Sequence, residues 1–361
     1  MIYFDHAAGM MPTQGLYQRY FDLVREFGAN SEAGHLLGRR SRQALAHSGE
    51  RIVQMLGLNA RFGVLWFGGA AEAFRFAAST QLVAKRRVVS SYLEHPALRA
   101  ALADSAEHVS LLKCDGQGAL MLPENPPDAS LVAIHQLQSE LGTMPDFSAL
   151  RTAFPDAVIA ADAIQSFGKM ELPQEASVYF CSAAKLGSPA GGAALIYDRE
   201  HPALRDWEAL RSAWRRERYM VDKLYAPELF MIETALELKL KQRKLERFQL
   251  EPLNRFLREN CAALGAVATI PEEKAHFSIL HLHFPGKQGA ILVRMLSDAD
   301  IMTSAGSACA SESDQPSPAM LALGFSREEA YSGLRLSFSL ANKMNEAERF
   351  VTVLGDVLRR Y

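Results

Sequence analysis

The chain has 361 residues, of which 48% are hydrophobic and 22% charged, and its formal net charge is −2. This length suffices for two domains, and the nearly neutral charge argues against nucleic-acid or membrane-surface binding. We expect neither a secretory leader nor a membrane helix, because no uncharged apolar stretch approaches the required length of roughly 20 residues. The four scattered cysteines lack metal-ligand spacing, which predicts a reducing compartment, the cytoplasm, and no metal site.

Short apolar runs alternate with helical patterns through about two-thirds of the chain. The first predicted segments are a strand over 64–67, a helix over 71–85, a strand over 88–90 and a helix that begins at Pro96. A strand over 131–134 follows and leads to the segment 147–154. Three further strands are predicted over 157–161, 178–181 and 193–197. This alternation predicts an α/β domain with a mainly parallel sheet covered on both faces. Ligands of such sheets bind outside the carboxyl ends of the strands.

A long or broken helix over 228–260, rich in Leu, Lys and Arg, is the predicted connector to a second domain. Beyond it lie strand candidates 278–284 and 334–340 and a closing helix. His281 and His283 share a strand face, and without a third ligand nearby we interpret them as structural.

A carboxylate and a lysine follow two neighbouring apolar runs. Asp162 ends the first run, and Lys185 follows the second among small residues. Burying either charge is costly unless each has a partner. Pyridoxal phosphate supplies both partners, since its ring nitrogen pairs with an anion and its aldehyde condenses with a lysine. Taken singly, Asp162 could cap a helix and Lys185 could be an exposed turn residue.

Three further features fit the same cofactor. Gln165, one turn after Asp162, is placed to bond the ring hydroxyl. The strand-to-helix turn at Gly69, Ala70 and Ala71 offers backbone N–H groups to a phosphate, although many such turns look alike. His95 is placed to stack on the ring, whereas a lone histidine is more often an ordinary loop residue.

Two features lie near the end of the chain. Cys309 sits in a small, polar stretch, 303–316, and a displayed thiol suggests reactivity, with an incidental loop cysteine as the alternative. The run 334–340 alternates strictly, so Arg335, Ser337 and Ser339 share a face. An arginine on a rigid strand can grip a carboxylate through two parallel bonds, although the face could also be solvated.

Taken in order, these features resemble a cysteine desulfurase of the class V aminotransferase family, which has pyridoxal phosphate fold type I. The resemblance covers nearly the whole chain. Its segments are Tyr3-Phe4-Asp5, Gly28-Ala29-Asn30, Gly69-Ala70-Ala71-Glu72, Glu94-His95, Glu140-Leu141-Gly142, Asp162 to Lys169, Lys185, Gly306-Ser307-Ala308-Cys309 and Leu334-Arg335-Leu336-Ser337.

The resemblance implies a large cofactor-binding domain, 12–245, with a mainly parallel seven-stranded sheet. It also implies a smaller α+β domain, 1–11 and 246–361, carrying the cysteine loop. L-cysteine would be converted to L-alanine while its sulfur passes to Cys309 as a persulfide. An acceptor protein, either a scaffold or a sulfurtransferase, would then take the sulfur for iron–sulfur cluster or thio-cofactor synthesis. A homodimer is also implied.

The same resemblance assigns residue roles. Lys185 would bind the cofactor aldehyde, Asp162 would pair with the ring nitrogen and Gln165 would contact the ring oxygen. His95 would stack on the ring and help to move protons, and Ser182 would bind the phosphate. Arg335 and Asn30 would bind the substrate.

The chain departs from the family pattern at several positions. Ala184 replaces the usual histidine, Ala71 replaces a threonine, and Ser139 replaces an asparagine that reaches cofactor and substrate. The usual Arg-Ser-Gly-Thr segment, which contacts the partner subunit's phosphate, is replaced by 211–218. We hypothesise that Arg215, Arg216 or Arg218 supplies the lost contacts, and the alternative is a solvated basic helix face.

These departures keep two other hypotheses open. The first is that the protein is another lyase or aminotransferase of the same family, in which case the Cys309→Ala variant would remain active. The other is a degenerate homologue with a binding or regulatory role, which would not take up the cofactor.

Overall fold

A computed structural model describes residues 1–217, 224–306 and 315–361 of the chain. Its strands are β1 (Ile2–Tyr3), β2 (Phe62–Phe67), β3 (Arg87–Ser91), β4 (His108–Leu112), β5 (Leu131–His135), β6 (Val158–Asp162), β7 (Val178–Ser182), β8 (Ala193–Asp198), β9 (Val267–Ala268), β10 (Ile279–His283), β11 (Ile301–Met302) and β12 (Gly333–Ser337). Its helices are α1 (Gln14–Phe27), α2 (Leu36–Met55), α3 (Ala70–Ser79), α4 (Pro96–Ala103), α5 (Phe147–Ala153), α6 (Trp207–Glu217), α7 (Ala226–Ala263), α8 (Gly289–Ser297), α9 (Pro318–Ala322) and α10 (Met344–Arg360). Within these ranges no helix is long and apolar enough to cross a membrane.

The central sheet has seven strands in the order β2-β8-β7-β6-β5-β3-β4. All neighbours pair in parallel except β8, which runs antiparallel to both β2 and β7. Strands β5, β6 and β7 are buried along their whole length, as in sheets with helices on both faces. The predicted α/β architecture with a mainly parallel seven-stranded sheet is confirmed.

The strand register brings the ends of the central strands to one edge of the sheet. His135 at the end of β5 pairs with Asp162 at the end of β6, and Asp162 pairs with Phe180 near the end of β7. A short 3-10 turn, Ala183–Lys185, follows β7 directly. The polar residues that close these strands therefore emerge together.

Helix α7 links two apolar cores. Its residues 226–236 pack with the central sheet, whereas Leu250, Leu253 and Leu257 pack with β10, β12 and α10. The predicted connector helix is therefore present and continuous, although longer than 228–260. Because it runs unbroken past residue 245, the proposed domain boundary falls inside a helix, and the domain division stays a prediction.

The second core covers a small antiparallel sheet in the order β12-β10-β9. The N-terminal segment joins it, since β1 pairs in parallel with β11 and Asp5 bridges to Ser337. This arrangement carries the first residues of the chain to the edge of the central sheet.

Two predicted elements end at least three residues earlier than expected. The helix predicted over 71–85 ends at Ser79, because the hydroxyls of Ser79 and Thr80 donate to the carbonyls of Phe76 and Ala77 and Thr80 becomes extended. The strand predicted over 334–340 ends at Ser337, beyond which the 339–342 segment turns on itself through a side-chain contact from Asn342.

Candidate active site

A cavity of about 300 Å³ lies at the carboxyl ends of the central strands, against the N-terminal segment and β12. Its wall includes both Asp162 and Lys185, so the structure brings together the two residues that the sequence placed at neighbouring strand ends. The predicted site residues that line it are Ala70, Ala71, His95, Ser139, Asp162, Gln165, Ser182, Lys185 and Arg335.

Three predicted site residues are not part of this wall. Gly69 precedes α3 as its N-terminal cap, one residue from the cavity. Asn30 lies elsewhere, and its Oδ1 accepts the backbone N–H of Glu32 at 3.0 Å. Cys309 lies outside the described residues, so its predicted role stays a prediction.

Asp162 is a buried carboxyl group of the cavity wall, with 7% of its surface exposed. Its Oδ1 accepts the backbone N–H of Ile164 at 3.0 Å, which fixes the carboxyl group after the strand ends. Burial, together with the nearby negative charge of Glu94, raises the pKa of Asp162 to about 7. A cationic partner in the cavity would therefore be needed to hold this carboxyl group ionised.

Lys185 reaches across the cavity from the 3-10 turn after β7. Its Nζ donates to the backbone carbonyl of Ala8, in the N-terminal segment. The neighbouring Ala184 is exposed and small, so this position contributes no imidazole to the cavity.

Gln165 is buried, yet both Oε1 and Nε2 of its side chain lack a hydrogen-bond partner in the described part of the chain. Buried polar groups are almost always hydrogen-bonded, so such an amide calls for a ligand. Ser182, also buried, offers a hydroxyl 3.3 Å from the carbonyl of Gly192.

His95 lies at the start of α4, where its Nδ1 accepts the backbone N–H of Ala97 at 3.2 Å. Partial burial lowers the pKa of His95, and the positive charge of Lys185 lowers it further. The imidazole is therefore neutral near pH 7, and with Nδ1 occupied as an acceptor its Nε2 carries the proton.

The N-terminus of α3 faces the cavity through Ala70 and Ala71. Gly69 supplies no side-chain cap, so N–H groups of the first helical turn stay available to an anion. Glu72 already accepts the N–H of Gly68 at 2.7 Å, which leaves the later N–H groups for a ligand.

Arg335 is 1% exposed, so it does not lie on a solvated sheet face. It donates to Asp5 Oδ1 at 2.6 Å and to the carbonyl of Ser139 at 2.9 Å, and its Nε lacks a partner in the described residues. The guanidinium thus joins three distant segments at the cavity wall.

Several residues that shape the cavity were not among the predicted site residues. His135 lines it, and its Nδ1 lies 2.7 Å from Oε1 of the buried Glu94, which also accepts the hydroxyl of Ser91. Its Nε2 lacks a hydrogen-bond partner in the described ranges. Asp5 belongs to the Tyr3-Phe4-Asp5 segment of the family resemblance, for which no role in the site was predicted. A search for polar residues at every strand end would have found His135, but nothing local identifies Asp5 as the partner of Arg335.

The basic segment that replaces Arg-Ser-Gly-Thr lies on α6. Arg215 lines a different cavity, beside α2 and β2, and Arg218 lies outside the described residues. The hypothesis that this segment contacts a phosphate therefore stays a prediction.

The wall of the cavity fits pyridoxal phosphate. An amine, a buried carboxyl group, an unpartnered buried amide and an open helix N-terminus face one space, and these match the aldehyde, ring nitrogen, ring hydroxyl and phosphate of that molecule.

Comparison with known proteins agrees with this geometry. The model of the aminotransferase class-V family matches residues 2–212 and 239–350. The chain belongs to this family. It is 25% identical to a protein named cysteine desulfurase IscS from Anaeromyxobacter sp. (strain K), over 99% of this chain and 93% of that protein.

Solved structures share the fold. A NifS-like protein superimposes with a TM-score of 0.85 at 20% identity, covering all of both chains. A structure titled SspA in complex with cysteine gives a TM-score of 0.71 at 20% identity, over 94% of this chain and 99% of that one.

Proposed function

We propose that this protein is a pyridoxal phosphate-dependent cysteine desulfurase, which converts L-cysteine to L-alanine and transfers the sulfur to Cys309. The observation that carries the proposal is that Lys185, Asp162 and the unpartnered amide of Gln165 surround one cavity closed by a buried arginine. The names of the relatives and the cysteine bound to a structural neighbour support the choice of substrate.

Different protein groups would hold the aldehyde, the ring and the phosphate of the cofactor. Lys185 would bind its aldehyde, Asp162 would pair with its ring nitrogen, and Gln165 would satisfy the ring oxygen. Ser182 and the N-terminus of α3 would take the phosphate. When bound, this cofactor supplies an electron sink for bonds at the substrate α-carbon.

Three side chains of the cavity would act on the substrate or on the cofactor ring. Arg335 would bind the substrate carboxylate, and Asp5 holds the guanidinium in place by accepting a hydrogen bond from it. The Nζ of Lys185, once displaced by substrate, would move the proton at the α-carbon. His95 would stack on the cofactor ring, and its Nε2–H would donate a hydrogen bond into the cavity.

The transfer of sulfur would require only the thiolate of Cys309 and the substrate. The Cys309 thiolate attacks the substrate sulfur, so an S–S bond forms while the bond between sulfur and the substrate β-carbon breaks. That carbon gains the electron pair and a proton and leaves as alanine. The transferred sulfur stays on Cys309 as a persulfide until an acceptor thiol removes it.

An acceptor protein and a homodimer belong to this proposal. Large apolar side chains are exposed on α1 and at the start of α2, with Phe21 at 56% and Leu36 at 70% exposed, which suits a protein interface. Light scattering on the purified chain tests the dimer.

The main experiment is incubation of the purified protein with L-cysteine and dithiothreitol, with alanine and sulfide measured together. Equal amounts of both are expected, and Cys309→Ala should abolish sulfide release. Cys261→Ala is the matched control, because that thiol is buried and its pKa is raised by burial to about 12. Undiminished turnover in Cys309→Ala would favour another reaction of the same family, and failure to take up pyridoxal phosphate would favour a non-catalytic role.

A further inference from the structure

A second cleft, of about 1020 Å³, lies away from the candidate active site. It is bounded by the 169–171 segment, by the middle of α7 and by the 272–277 segment. Six cationic and four anionic side chains line it, so its net charge is two positive. The cationic residues are Lys169, Arg243, Lys244, Arg247, Arg255 and Arg258.

Lys169 forms the inner end of this cleft. Its side chain makes no hydrogen bond or ion pair in the described part of the chain, although the residue is partly buried. Burial, together with the neighbouring positive charge of Lys239, lowers the pKa of Lys169 to about 7. A buried ammonium without a partner is unfavourable, so this position calls for an anion.

The nearest internal carboxylate cannot fill that role. Glu246 is already bonded to Lys239, and both side chains are about 95% buried. Gly168, at a φ of +71°, turns the chain tightly over Lys239, so Lys169 faces the cleft. The group formed by Lys169, Lys239 and Glu246 therefore carries one uncompensated positive charge when all three are ionised.

Two of the four arginines that line the cleft, Arg243 and Arg255, pair with exposed carboxylates. Arg243 pairs with Glu171 at 2.8 Å and Arg255 with Glu272 at 2.8 Å, and the two carboxyl side chains are 87% and 46% exposed. Exposed ion pairs of this kind contribute little, so a ligand can replace them at small cost. Arginine also binds oxyanions through two parallel bonds.

We propose that this cleft binds a small, doubly charged oxyanion, a phosphate compound or a dicarboxylate, with one charged group on Lys169 and the other at the arginines of α7. The net charge matches such an ion, and the volume is at the upper end of the range of about 300–1,000 Å³ typical of ligand pockets. Met170 and Phe277 in the wall would contact an organic part of the ligand. The proposal does not depend on the desulfurase activity.

The test is isothermal titration of the full chain saturated with pyridoxal phosphate, so that the phosphate position of the active site is occupied. Pyrophosphate, inorganic phosphate and succinate are titrated separately at constant ionic strength. We expect saturable binding of one ion per chain with a Kd of about 1 mM or tighter for at least one of them. The preferred ion distinguishes a phosphate compound from a dicarboxylate.

Lys169→Gln should weaken that binding by about tenfold or more, because it removes the charge-assisted bond at the inner end. Lys244→Gln, on the exposed surface of α7, should weaken it less and provides a variant that does not touch the interior. Lys113→Gln removes an exposed lysine that does not line the cleft and is the matched charge control.

Three results would overturn the proposal. The first is no saturable binding of any of the three ions. The second is equal affinity in the unmodified protein and the two cleft variants, or equal loss in Lys113→Gln. The third is binding of a glutamate-rich peptide without binding of the small ions, which would assign the cleft to an acidic protein segment.

Discussion

Replacing Asp162 with Asn should stabilise the protein when pyridoxal phosphate has been stripped from it. Burial raises the pKa of Asp162 from 3.8 to about 7, so ionisation of this group is disfavoured in the folded state. The shift of about three pKa units corresponds to a penalty of about 4 kcal/mol. Asn is nearly isosteric, and its Oδ1 can still accept the N–H of Ile164.

The sign of this effect fixes its pH dependence. The folded pKa lies above the unfolded one, so the penalty is absent below about pH 4, grows between pH 4 and 7 and is complete above pH 7. The gain from Asp162→Asn should therefore be about 4 kcal/mol at pH 8 and about 2 kcal/mol at pH 5. Urea denaturation of the stripped protein at the two pH values measures it.

In the cofactor-loaded protein the same substitution should act in the opposite direction. It removes the anion proposed to pair with the ring nitrogen, and a hydrogen bond to a charged group contributes about 1.5–3 kcal/mol. Pyridoxal phosphate should therefore bind at least about tenfold more weakly, as measured by equilibrium dialysis.

The matched control is Asp146→Asn, at the exposed N-terminal cap of α5, where Asn caps about as well as Asp. Its unfolding free energy should change little at either pH. The reasoning is refuted if Asp162→Asn destabilises the stripped protein at pH 8, or if the cofactor binds that variant as tightly as the unmodified protein.

Three further substitutions test the buried polar groups. Lys239→Met should lower the free energy of unfolding by about 3–5 kcal/mol, because it leaves Glu246 buried without its partner. Urea denaturation measures this, and addition of Glu246→Leu should recover most of the loss. Arg335→Lys should raise KM for cysteine more than it lowers kcat in alanine-release kinetics, since an ammonium cannot replace a two-pronged carboxylate contact; an unchanged KM would contradict the assigned role. Glu94→Ala should cost about 3 kcal/mol in thermal or urea unfolding, because it leaves the backbone N–H and ring of His135 without their acceptor, and Glu94→Gln should cost less.

The order of strands and helices could be predicted because each depends on a local pattern. The strands ending at His135 and Asp162 are uninterrupted apolar runs, as buried parallel strands require. Element ends were less predictable. Helix α3 stops at Ser79 because two hydroxyls compete for its last carbonyls, a local effect that apolar periodicity does not reveal.

The same distinction applies to the candidate site. Asp162 and Lys185 could be placed together from the sequence, because the carboxyl ends of adjacent parallel strands meet at one edge. The rule applies equally to His135, which directly follows the apolar run 131–134 and lines the same cavity. Position in the fold therefore predicted which residues face the cavity better than their immediate neighbours did.

The contacts between residues of the site could be identified only from the structure. Arg335 and Asp5 are separated by 330 residues, and Lys185 donates to a carbonyl 177 residues away. Neither contact can be predicted from the spacing of the residues in the sequence. Both contacts depend on the pairing of β1 with β11, which brings the N-terminal segment to the central sheet. A buried charge is costly unless it is paired, so the ion pair with Asp5 offsets part of the cost of burying Arg335. The N-terminal segment is therefore as much a part of the cavity as the strand ends, and variants of Asp5 should affect substrate binding through Arg335.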